Sequence, residues 1–265
     1  MIVLLKTNYL VEVPVPSFMM KVLSHFILGL SFIYISGCTT KITDPQKIID
    51  KTLQVSGGDK YIDSVIEFDF RERHYLARRN GGHFSYERIF KDTLGTVHDY
   101  VTNEGFKREI NDTEVSVPDT MAVKYTSSTN SVIYFALLPY GLNDAAVNKK
   151  FLGETMINDQ NYYIVQVTFS AEGGGEDHED VFHYWIHKQN FTIDYFAYSF
   201  EESDEISFRF RVAFNPIIVN GIRFQDYINY KPKNNSYTLD QAEELYKNGE
   251  LEELSKIELL NVSVE

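Results

Sequence analysis

From Ser64 onward, apolar and polar residues alternate with a period of two. Ile66, Phe68 and Phe70 alternate with Glu67, Asp69 and Arg71, as in a strand whose successive side chains fall on opposite faces. After the turn signal Asn80-Gly81-Gly82, the residues Phe84, Tyr86, Arg88 and Phe90 share a face, and short strands are expected at 97–102, 106–110 and 114–117. A second series is expected at 150–156, 162–170, 181–187, 192–200 and 206–214. In the last of these Phe208, Phe210, Val212 and Phe214 alternate with Arg209 and Arg211. Asn220-Gly221, between Val219 and Ile222, is the strongest hairpin signal in the chain, because Asn-Gly readily supplies the two positive-φ residues of a type I′ turn. Residues 257–264 read as a final strand.

Helical signals are few. Asp44-Pro45 offers a capping acid and a proline at the first helical position, Gly57-Gly58 closes the segment, and Ile48, Ile49, Thr52, Leu53 and Ser56 make one face. The alternation lapses from Pro118-Asp119 to about residue 146. Its centre, SVIYFALLPYG, places an unbroken apolar run before Pro139, which predicts a helix ended by Pro139 and Gly141. That helix is either part of a filled core or a lid over a lipid-binding cavity. A short acidic helix is expected over 239–246, stopped by Asn248-Gly249. Strands and helices do not alternate along the chain, which excludes a (β/α)₈ barrel and a dinucleotide-binding fold. The expected class is α+β: a large antiparallel curved sheet, forming a half-barrel, with a helical insert packed on its concave face. Residues 45–265 are read as one β-rich domain.

The N-terminal stretch has a different character. In MKVLSHFILGLSFIYISGC, residues 20–38, a lysine precedes an apolar run that closes on small residues. This is the build of a secretory signal peptide, too short to cross a bilayer comfortably. Ile35, Ser36, Gly37 and Cys38 resemble a bacterial lipobox, in which cleavage before the cysteine follows acylation of its thiol. Ile35 stands where Leu is more usual. Cys38 is also the only cysteine of 265 residues. Residues 1–19 contain Glu12, Pro14 and Pro16 and read as a mis-started leader, with translation beginning at Met19 or Met20. Residues 20–37 would then be the signal peptide and 38–44 a tether.

Composition narrows the partners. A net charge of −13 and a pI near 5.0 exclude nucleic acid and charge-driven docking on anionic lipid. Membrane attachment would rest on acyl chains at Cys38, each buried methylene contributing about 0.8 kcal/mol. Aromatic residues make up 14% of the chain, 18 Tyr and 19 Phe against one Trp, which favours strands.

The segment EGGGEDHEDVFHYWIHKQNFTIDY gathers three histidines and an acidic loop. On a strand, His183, Trp185 and His187 share one face while Tyr184 and Ile186 share the other, but the two histidines stand about 13 Å apart by strand rise, too far to share one ion. His178 and Asp180 are the candidate ligands of a calcium-type site in the Gly-led loop, without the regular Asp spacing of a calcium loop; the other reading is a solvated acidic loop. Gly-x-Ser-x-Gly, His-Glu-x-x-His and phosphate-loop motifs do not occur. Arg88, among Phe84, Tyr86 and Phe90, and Asp226, among Ile222, Phe224, Ile228 and Tyr230, place single charges on apolar faces. Either they line a cavity and orient a ligand's head group, or they pair with neighbours, or those faces look outward.

The lipobox together with LLPYGLNDAAV, EGGGEDHEDVFHYW and NPIIVNGIRFQDYINYKP resembles a family of uncharacterised lipoproteins of Bacteroidetes-type bacteria. Relatives there sometimes carry a deoxyribose-phosphate aldolase label; that chemistry implies a (β/α)₈ barrel with a Schiff-base lysine, whereas the pattern here is antiparallel. The hairpin VFHYWIHKQNFTIDYFAYSF is similar to the Trp-containing hairpin of LolA/LolB-type lipoprotein carriers, which implies an acyl-chain cavity inside a half-barrel. The expected function is an outer-membrane-anchored, periplasm-facing envelope lipoprotein, monomeric and without cofactor, that binds a hydrophobic or amphiphilic ligand. Thr39 occupies the position where an aspartate would signal inner-membrane retention. The alternatives are an envelope hydrolase or metal-dependent enzyme using the His-rich hairpin, and a structural or partner-binding lipoprotein.

Overall fold

The computed structural model describes residues 42–172, 178–202, 205–234 and 236–265. The leader, the lipobox with Cys38, and residues 173–177 of the glycine-led loop lie outside them. The chain enters through α1 (Pro45–Ser56), capped as expected by the Asp44 carboxylate, which accepts from the Gln46 amide at 3.0 Å. Six strands follow: β1 (Val65–Phe70), β2 (Arg73–Asn80), β3 (His83–Asp92), β4 (Gly95–Thr102), β5 (Gly105–Ile110) and β6 (Thr113–Val115). The insert is α2 (Asp119–Ala136). Then come β7 (Val147–Ile157), β8 (Gln160–Phe169), β9 (Phe182–His187), β10 (Ile193–Glu202), β11 (Glu205–Val219) and β12 (Ile222–Pro232). The tail is α3 (Ala242–Lys247), β13 (Leu251–Ile257) and β14 (Leu260–Val264).

The strands form two antiparallel sheets of seven, both unclosed. Sheet one runs β14-β1-β2-β3-β4-β5-β6 and sheet two β13-β12-β11-β10-β9-β8-β7. The α+β class is as expected, with the large sheet divided into two ladders. The tail differs from its sequence reading. Residues 251–264 are two strands, one at an edge of each sheet, so the chain crosses between sheets at Glu258-Leu259. β13 was hidden because an edge strand with one solvated face, LEELSKI, carries too few apolar residues to show a period. The β11–β12 hairpin turns on Asn220 and Gly221, both at positive φ (46° and 81°), as the Asn-Gly signal demands. Lys60 covers this turn and donates to the Asn220 carbonyl.

Helix α2 lies between the sheets. Ile133, Ala136 and Leu137 pack on Ile66, Phe68, Tyr75 and Ala77 of sheet one. Tyr134 and Phe135, on the next side of the helix, join Ile48 and Ile49 of α1 and Val165, Tyr184 and Phe196 of sheet two. Its lower half adheres by polar groups. Arg88 donates to Ser128 at 2.9 Å and Arg108 lies over the Tyr125 ring at 3.8 Å.

The other face of sheet two is covered by α3. Ala242 and Leu245 sit on Trp185, Phe208 and Phe210, and the Tyr246 ring stacks on Phe210 at 4.7 Å. Glu243 holds the helix down, accepting from the Trp185 indole at 2.6 Å, from Thr155 and from Lys247. Burial alone would raise the Glu243 carboxyl, but these three hydrogen bonds outweigh it and bring it below the ordinary 4.5. A depressed folded-state value means the pairing contributes fully above pH 4.5 and is lost as pH falls through the folded value. Emission from Trp185, the only tryptophan, should therefore hold steady down to pH 4.5 and change below it. Glu243→Gln should show the altered emission at every pH. An unchanged acid transition in that variant would refute the coupling.

Candidate functional site

Above α3 the sheet is filled; beneath α2 it is not. A cavity of about 1020 Å³ lies between α2 and the inner face of sheet two, with Phe70 and Phe106 of sheet one and Leu259 of the sheet-to-sheet corner at its sides. Its size suits a long-chain ligand. The walls are largely aromatic: Phe135 and Tyr134 from α2, Phe169 from β8, Phe182 from β9, Tyr198 and Phe200 from β10, and Tyr227 from β12. Ala122, Thr126 and Asn130 add a smaller, more polar strip from the first half of α2. The helix thus walls the cavity with aromatic rings near its C-terminal end and with small or polar residues along its first half.

Two of the charged groups in this cavity come from β11. Its alternation sets Phe208 and Phe210 against Arg209 and Arg211, and the phenylalanine face is the one that α3 covers. The arginine face looks into the cavity. Three arginines (Arg71, Arg209, Arg211) and two aspartates (Asp119, Asp180) line it, a positive balance inside a chain of net charge −13. Arg71 and Asp119 are exposed at the rim, whereas Arg211 is only 7% exposed.

Arg211 sits at the start of a row that crosses three strands. It is in register with Asn229 of β12, and Asn229 with Ser255 of β13; on the other side it is opposite Phe196 of β10. The guanidinium lies 4.0 Å over the Phe135 ring and donates from one terminal nitrogen to the Tyr198 hydroxyl at 3.1 Å. Among the described residues, Arg211 Nε, Asn229 Oδ1 and Asn130 Oδ1 are buried without a hydrogen-bond partner, and all three residues line the cavity. Orphaned buried polar groups are costly and infrequent. Three of them surround this one cavity.

The sequence candidates Arg88 and Asp226 do not line this cavity. Arg88 forms a buried cluster with Asp99, which also receives Arg108 at 2.5 Å. Asp226 accepts from Asn215 at 2.8 Å and from the Leu259 amide at 2.9 Å. It joins the bulge of β11, where Asn215 has φ 47°, to the corner between β13 and β14. Both are charges on apolar faces, as read, and each is taken up by protein partners.

The histidines divide likewise. His183 and His187 share a face with Trp185, beside α3. His187 accepts from the amides of Gln189 and Asn190 through Nδ1 and meets Gln160 through Nε2. Burial pushes the His183 imidazole below its ordinary range, Asp240 opposing it only in part. His187 is thus a turn-binding residue and His183 a buried one. Of the two candidate calcium ligands, Asp180 lines the cavity and His178 lies in the adjoining turn; the neighbouring acidic residues Glu176 and Asp177 lie outside the described residues. Among the described residues no group of three or more His, Cys, Asp or Glu is placed to hold a metal ion.

Residues 24–259 match the profile of a family of unknown function, DUF6503. The chain belongs to that family. No curated protein matches the DUF6503 chain. Among solved structures, a DUF1329 family protein from Desulfovibrio piger is similar with a TM-score of 0.46 and 11% identity, over 83% of this chain and 93% of that one. A LolA superfamily protein from Nitrosomonas europaea is similar with a TM-score of 0.41 and 8% identity, over 85% and 92%.

Proposed function

We propose that this DUF6503 chain is a non-enzymatic envelope lipoprotein, held to the outer membrane by acyl chains on Cys38, that binds one amphiphilic molecule beneath α2. The cavity carries the reading: about 1020 Å³ walled by aromatic rings is a container for an apolar chain. Two features support binding over catalysis. His183 and His187 share the Trp185 face, on the α3 side of sheet two, away from the cavity, and the first half of α2 presents small and polar residues over it. The lipobox at Ile35-Ser36-Gly37-Cys38 supports the envelope location, since a thiol placed after small residues is what lipidation requires.

The neutral fluorescent probe N-phenyl-1-naphthylamine tests the cavity. It should bind with saturation at about one molecule per chain and be displaced by long-chain amphiphiles. Thr126→Trp, which thrusts an indole into the cavity from α2, should weaken the probe about tenfold or more while leaving the melting temperature nearly unchanged. Absence of saturable probe binding would refute the reading.

A further inference from the structure

The cavity's buried cation also specifies which amphiphile fits. We infer that the row Arg211–Asn229–Ser255 is a receiving site for an oxyanion head group, carboxylate or phosphate, so that the ligand is an anionic amphiphile with its charged end inside the cavity. The inference rests on the binding reading above and deepens it.

Arg211 has no counter-ion among the described residues. Its charge is buried to 7% exposure, and among the described residues it has a phenol and three aromatic rings, Phe135, Phe196 and Tyr198, but no carboxylate within ion-pair distance. Aromatic faces and a hydroxyl hold a guanidinium in place without neutralising it. The contrast with Arg88 and Arg108 is direct. These two arginines, in sheet one of the same chain, share Asp99 as a buried counter-ion. A fold that supplies an aspartate to one buried arginine pair and withholds one from another arginine leaves the second able to take an external anion. The guanidinium fork matches the two oxygens of a carboxylate or phosphate, and its Nε is the donor left unpartnered.

The neighbours suit the same ligand. Asn229, in register with Arg211, donates to Ser255 at 3.4 Å and leaves its carbonyl oxygen unpartnered; among the described residues the Asn130 carbonyl oxygen, on α2 opposite, is likewise unpartnered. Amide and hydroxyl groups beside the cation can receive the hydroxyl or amide hydrogens that accompany such head groups. Phe182, Tyr198 and Phe200 extend from this polar row along the aromatic wall, where the chain would lie. An ordinary apolar ligand would leave Arg211 buried and uncompensated, which is the costly case.

The test is displacement of bound N-phenyl-1-naphthylamine by ligands of one chain length: dodecanoate, dodecyl phosphate and dodecanol. The wild-type chain is expected to prefer at least one of the two anions over the alcohol by about tenfold or more, as a charge-assisted, desolvated pair would give. Arg211→Met keeps the stem and removes the charge, so it should bind the probe and dodecanol as before and lose the preference. Arg211→Lys, which keeps charge without the fork, should retain part of it. Acetate at the same concentration should leave the probe in place. Equal displacement by all three chains from the wild type, or a preference that survives in Arg211→Met, would overturn the inference while leaving the cavity reading intact. Displacement by acetate would make this a small-anion pocket and overturn it too. No probe binding at all would instead count against the cavity itself. Wild-type selectivity decides the matter even if Arg211→Met fails to fold.

Discussion

Replacing Asp99 by alanine is expected to cost the fold about 3–5 kcal/mol, the range seen when one partner of a buried ion pair is removed. Asp99 is fully buried, and both of its carboxylate oxygens are used: Oδ1 accepts from Arg108 Nε, and Oδ2 from Arg88 Nε and from a terminal nitrogen of each arginine. Without it, two guanidinium groups, 4% and 12% exposed in their side chains, would face each other unneutralised. The loss should spread to α2, because the same arginines hold Ser128 and Tyr125. Urea unfolding followed by circular dichroism measures it. Replacing the whole cluster, Arg88→Met with Asp99→Leu and Arg108→Met, should recover most of the stability, since apolar side chains of similar volume avoid the desolvation penalty. An Asp99→Ala chain less than about 1 kcal/mol weaker would contradict the network described, that being the worth of an exposed pair.

Asp226→Ala should cost about 2–3 kcal/mol, because it strips a buried carboxylate from Asn215 and from the Leu259 amide at once. The loss concentrates where the chain crosses between sheets, so hydrogen exchange of β14 should accelerate before that of β9. Binding of N-phenyl-1-naphthylamine and dodecanoate should be unchanged once the variant is compared below its melting temperature. Full stability with lost dodecanoate selectivity would return Asp226 to a head-group role.

These two variants show how far the sequence reads. Period-two alternation finds a strand but gives only the identity of its two faces, and which face is inner depends on what packs later. On β11, Phe208 and Phe210 suggest an inner face and Arg209 and Arg211 an outer one. Both faces are covered: α3, more than thirty residues downstream, brings Ala242, Leu245 and Tyr246 over the phenylalanines, and the opposite face lies under α2. The arginines are thereby turned into the cavity. The available signal was the pair itself: two arginines on one face of a long strand whose neighbours are aromatic on both faces.

Arg88 and Asp226 were legible as charges on apolar faces, and both are indeed buried. Their partners were not legible, because Asp99 comes from a neighbouring strand and Leu259 from a corner that the sequence presents as continuous strand. The caps and turns were clearer. Asp44-Pro45 and Asn220-Gly221 act within a few residues, where local chemistry decides the backbone. The first half of α2, Asp119 to Asn130, was invisible as a cavity wall, since small and polar helical residues look the same whether they face a ligand or bulk water.

The most direct test of the account is a crystal structure of the mature chain grown with excess dodecanoate. One extended chain of density is expected beneath α2, running along Phe182, Tyr198 and Phe200, with the carboxylate on the Arg211 guanidinium. A structure in which α2 has settled onto the β11 arginines, with the cavity closed and no ligand density within it, would contradict it.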